Sequence, residues 1–94
     1  MRLRFYIDPE TDQPHIYKHR VTETEVEQVL GHTAEDRPER DGARVALGRT
    51  LSGRLLRVIY IPDPQPDSHF VITAYELQGK AATTYRRRLR RKQR

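Results

Sequence analysis

With 94 residues the chain has room for one domain and a modest core, and a second domain is excluded. Its 35% hydrophobic and 33% charged residues are those of a soluble protein. The absence of cysteine rules out disulfides, thiolate zinc sites and thiol catalysis, and with no apolar run of membrane-spanning length and no signal-peptide core the expected compartment is the cytoplasm. The formal charge of +5 is unevenly placed: residues 80 to 94 carry eight positive charges and no acid, whereas residues 1 to 79 carry ten positive against thirteen negative. Basicity therefore belongs to the C-terminal end, which also accounts for a mean hydropathy as low as −0.89.

In chain order, residues 2 to 7 (RLRFYI) alternate as a first strand, ended by Asp8-Pro9 because proline restricts the residue before it and offers no donor. A short helical turn is predicted over Pro14 to His19, with proline at its start. Thr22-Glu23-Thr24-Glu25 then has the form of a capping box. Val26, Val29 and Leu30 follow at helical spacing, Val21 precedes the cap as a staple, and Gly31 supplies the stop. Residues 32 to 42, polar and ending in Asp-Gly, read as an exposed loop. ARVALGRT and RLLRVIYI flank LSG as a hairpin, the proline-rich PDPQPDS is a loop, and HFVITAYEL is the last strand. From Gly79 onward Ala81, Tyr85 and Leu89 form a thin apolar stripe on an arginine-covered helix. The expected fold is α+β: a four-stranded antiparallel sheet, one or two N-terminal helices on one face, and a basic C-terminal helix. Residues 1–89 form the single domain, 90–94 are a mobile basic tail, and the second sheet face is left open.

The chemistry available is limited. His15 and His19 stand four apart, but there is no glutamate in an H-E-x-x-H arrangement and no identifiable third ligand, so no metal and no cofactor is expected. Ser52 and Ser68 fall in turns outside any nucleophile elbow, and no phosphate-cradling glycine loop is present. What remains is histidine, lysine, arginine and tyrosine, the set that can cleave RNA without a metal: a base for the 2′-hydroxyl, cations for the phosphate and an acid for the leaving 5′-oxygen. The candidates for those roles are Lys18, His19, Arg49, Arg57, Tyr75 and Tyr85, while Arg86, Arg87, Arg88, Arg90 and Arg91 are candidates for nucleic-acid binding. His19 is expected at the rim of the open sheet face, and His15 in packing or behind it.

The stretch YKHRVTETEVEQVL resembles the lysine-histidine, short turn and capped helix near the start of BrnT-type toxins. The hairpin ARVALGRTLSGRLLRVIYI, the strand HFVITAYEL and YRRR continue in the order of that family, over most of residues 5 to 88. The last strand is most similar to small relatives of that toxin ending in an ITAY-like strand. BrnT-like proteins belong to the RelE-like ribonuclease toxins, so the resemblance implies a compact α+β fold, messenger-RNA cleavage and an antitoxin partner. Lys18, His19 and the Tyr85-Arg86 pair sit at matching places, whereas the tryptophan usual in the opening motif is missing from FYID. Two functions follow as expectations. One is a metal-independent endoribonuclease of a toxin-antitoxin pair, with RNA and an antitoxin as partners, no membrane, and self-association left open. The other is a non-catalytic module that binds nucleic acid or protein.

Overall fold

The computed structural model describes residues 1–92. Strand β1 (Arg2–Phe5) is followed by a small ladder in which β2 (Ile7–Asp8) pairs antiparallel with β3 (Gln13–Pro14). A 3-10 turn over His15–His19 leads into helix α1 (Glu23–Gly31). Then come β4 (Glu35–Pro38), β5 (Arg44–Arg49), β6 (Leu55–Pro62), β7 (Ser68–Glu76) and helix α2 (Gly79–Lys92). The fold is α+β, with a mixed five-stranded sheet in the order β1-β7-β6-β5-β4.

The sheet thus differs from the expected four-stranded antiparallel one in two ways. Glu35–Pro38 lies inside the segment read as a loop, yet it pairs antiparallel with β5 from Glu35↔Leu47 to Pro38↔Arg44. Its polar sequence is that of an edge strand, where charge and proline discourage further pairing. The first strand pairs parallel with β7, from Arg2↔Ser68 to Phe5↔Val71. That pairing joins the first strand to the last and leaves no mark on either strand's periodicity.

Local signals hold where they are strong. The Thr22 hydroxyl accepts from the Glu25 amide at 3.1 Å and the Glu25 carboxylate accepts from the Thr22 amide at 3.0 Å, so the capping box fixes the start of α1. Val21, Val26 and Val29 are buried. Helix α1 ends at Gly31, but the last carbonyls are satisfied by the Thr33 hydroxyl, which donates to Val29 and Leu30, and not by a left-handed glycine. The hairpin turns at Thr50–Gly53, where Gly53 takes φ +91°. Gly48 lets α1 approach β5: a Cβ there would lie 3.2 Å from a Val29 methyl.

Alternation along β5 and β6 divides the core in two. On one face Ala46, Leu56, Val58 and Ala74 pack with Val26 and Val29 of α1 and with Ile16 of the 3-10 turn. On the other, Leu55 packs with Ala82 and Tyr85 of α2, with Leu47, Leu77 and Leu89 against them. The expectation of an uncovered second face is therefore corrected at one end, because α2 docks there through the stripe of which Tyr85 and Leu89 are part. Helical backbone extends to Lys92, past the expected start of the tail at residue 90, and residues 93 and 94 lie outside those described. Among the described residues no helix is long and apolar enough to cross a membrane.

Candidate functional site

Strand register puts Glu35, Leu47, Arg57 and Tyr75 in one row across β4, β5, β6 and β7, on the face where α2 docks. Side chains directly opposite one another in antiparallel pairs share a face and touch. The row continues beyond the sheet, since the 3-10 turn lies along β7 and brings the His19 ring to 5.9 Å from that of Tyr75. His15 stands edge-on to His19 at 5.3 Å, and Tyr6 is 6.1 Å from His15. Four rings thus form a stripe, Tyr6, His15, His19 and Tyr75, and Arg57 stands opposite Tyr75 in the strand register.

One end of the stripe is anchored by Asp8. This carboxylate is buried and receives the Lys18 ammonium at 2.8 Å, the Glu10 amide at 2.8 Å and His15 Nδ1 at 3.0 Å. The Lys18 hydrogen bond, then the Glu10 amide and His15, hold the Asp8 carboxyl well below the usual carboxylate range despite its burial. The same contact raises Lys18, which Glu10 also meets at 3.2 Å. The Asp8 hydrogen bond thus holds the His15 ring. His19 differs: it is exposed, and its ring nitrogens make no hydrogen bond among the described residues.

Each expected site residue can now be located. The His19 ring meets that of Tyr75, and Arg57 stands opposite Tyr75 in the strand register with its guanidinium 3.8 Å from Glu39. Lys18 adjoins His19 in sequence, but its ammonium is committed to Asp8 and Glu10, so it serves the scaffold and not the open face. Arg49 is exposed at the end of β5, on the face that carries Leu47. Tyr85 is fully buried, and its hydroxyl has no hydrogen-bond partner among the described residues. Burial, aided by the Glu35 charge, raises its pKa, so the group stays protonated. Arg88 grips the buried Glu35 through Nε at 2.8 Å and a terminal nitrogen at 3.1 Å, clamping α2 to β4. It is thereby removed from the set expected to bind nucleic acid. Arg86, Arg87, Arg90 and Arg91 are exposed on α2, with no acid on that helix.

Two structural residues escaped the sequence reading. Arg54 joins Glu25 at 2.8 Å, Glu76 at 3.1 Å and the Arg20 carbonyl at 3.0 Å, tying the start of α1 to the sheet. Glu35, in a stretch read as loop, is the buried acid that positions α2. Nothing local marks either one; only the pairing of distant segments does. No group of three or more histidine or acidic side chains suited to a metal ion occurs among the described residues.

Comparison with family models, curated proteins and solved structures finds no match for this chain.

Proposed function

We propose that the chain is a metal-independent endoribonuclease of the toxin type that its sequence resembles. The observation that carries this reading is the His19 imidazole, without a hydrogen bond among the described residues, beside the Tyr75 phenol, with Arg57 opposite Tyr75 in the strand register. Such a set supplies what RNA cleavage needs. His19 takes the proton from a 2′-hydroxyl, and that oxygen attacks the adjacent phosphorus. Arg57 stabilises the charge gathering on the phosphate, and the P–O5′ bond breaks as a proton reaches the leaving 5′-oxygen. Tyr75 is placed to donate that proton or to stack a base. The exposed arginines of α2 draw the RNA strand in by its phosphates, without sequence preference. On this reading the protein acts in the cytoplasm and is kept silent by an antitoxin that covers the stripe.

The test is cleavage of single-stranded RNA in the presence of chelator by the intact chain and by His19→Ala, which should be slower by about a hundredfold or more. Wild-type rates in the variant would remove His19 from the site. A second reading, a nucleic-acid-binding module without catalysis, draws on the acid-free outer face of α2, where Arg86, Arg87, Arg90 and Arg91 are all exposed. RNA binding with no cleavage by the intact chain would favour it.

A further inference from the structure

Between α2 and strands β4 to β6 lies a groove of about 410 Å³, within the range of small-ligand sites. Its walls are half apolar, from Val45, Leu47 and Ala81, and Tyr85 is among them. Four cations, Arg37, Arg57, Lys80 and Arg88, border it against two acids, Glu35 and Glu39, which leaves a net positive rim. The acids are largely engaged: Glu35 by Arg88 and Arg37, at 2.8 and 3.4 Å, and Glu39 more loosely by Arg57 at 3.8 Å. Lys80 makes no ion pair among the described residues. Two polar atoms of the lining residues, Arg57 Nε and the Tyr85 hydroxyl, are buried with no hydrogen-bond partner among the described residues. Unsatisfied buried donors carry a cost that a ligand bearing acceptors can remove.

Arg57 lines this groove and stands opposite Tyr75, the last ring of the stripe, in the strand register. We infer that the groove is a nucleotide subsite: it takes one nucleotide of an RNA strand that crosses the stripe, with the base between Leu47, Ala81 and Tyr85 and the phosphate at Arg57 and Lys80. A flat, half-apolar occupant with acceptors and one anionic group matches the walls, the orphaned donors and the rim. A purely apolar ligand would leave the donors unsatisfied, and a bare anion would leave the apolar walls empty. The inference deepens the RNA reading and rests on it for its biological sense, but its test needs no cleavage.

The experiment is a titration of the intact chain with uridine 3′-phosphate, uridine and inorganic phosphate, followed by the amide resonances of Leu47, Arg57, Ala81 and Tyr85. The nucleotide should shift those resonances and bind about tenfold or more tighter than either fragment, because base and phosphate contacts are made together. Ala81→Trp puts an indole into the groove from an exposed helix position and should weaken nucleotide binding at least about tenfold. Tyr85→Phe keeps the ring and removes the donor, and should weaken binding about threefold to tenfold. Leu51→Ala, in the distant hairpin turn, should change nothing. Inorganic phosphate binding as tightly as the nucleotide, unchanged affinity in Ala81→Trp, or no shift at these four residues would each overturn the subsite. Failure of the two readings is distinguishable: RNA cleavage without nucleotide binding removes the subsite alone, and nucleotide binding without cleavage removes the ribonuclease alone.

Discussion

Tyr85→Phe should make the protein more stable, against the usual direction of core substitutions. Tyr85 is fully buried between α2 and the sheet, where its ring packs near Leu55 and Ala82 and its hydroxyl has no hydrogen-bond partner among the described residues. Leaving such a group without a partner costs about 1–3 kcal/mol, and deleting it recovers that cost while the ring contacts remain. For a domain of this size each kcal/mol is worth about 4 °C or more in Tm, so the variant should melt at least about 4 °C higher. Tyr85→Ala, which also removes the ring, should instead cost about 3–5 kcal/mol. Thermal and urea unfolding of the three proteins, read by far-ultraviolet circular dichroism, measures both differences. A Tyr85→Phe protein less stable than its parent would refute the reasoning, since it would mean that the hydroxyl is bonded. The same substitution weakens the proposed nucleotide subsite, so one residue should trade stability against binding.

Further outcomes follow from the same contacts. Arg88→Met removes the two hydrogen bonds that Arg88 makes to the buried Glu35 carboxylate and should cost about 1–3 kcal/mol, whereas Arg86→Met on the outer face of α2 should stay within about 0.5 kcal/mol; equal melting curves would contradict the clamp. Thr22→Ala should lower stability by about 1 kcal/mol in urea unfolding through loss of the α1 cap. The folded Asp8 carboxyl titrates below its ordinary value of 3.8, so its contribution to stability is complete above that pH and is lost as pH falls toward the folded value. Acid unfolding should therefore be less steep below pH ~4 in Asp8→Asn than in the parent, and parallel acid limbs would count against the Lys18 and His15 contacts.

How far the sequence speaks depends on the range of the signal. The Thr22/Glu25 box and the Thr50–Gly53 turn are local: each satisfies its own backbone groups and forms as expected, whereas α2 docks through Tyr85 and Leu89 with Ala82 buried in place of the expected Ala81, which is exposed. The parallel seat of β1 and the edge strand Glu35–Pro38 depend on partners far along the chain, and no periodicity records them. The site divides in the same way. The short turn that carries His19 was legible from the residues before the capped helix. That Lys18 would be drawn to Asp8 was not, because the β2–β3 ladder that presents Asp8 is only two residues long on each side. Arg88 carried a usable sign: it lies three residues beyond Tyr85, on the inward side of α2, unlike Arg86 and Arg87.

The central claim is that the stripe turns the RNA's own 2′-hydroxyl against the neighbouring phosphate, and the ends of the product record it most directly. The intact chain, incubated with a single-stranded RNA in excess chelator, should leave one fragment ending in a 2′,3′-cyclic phosphate and another beginning with a 5′-hydroxyl, and a single 2′-deoxy substitution at the cleaved position should abolish the cut. Intact RNA, or fragments with 3′-hydroxyl and 5′-phosphate ends, would contradict the account.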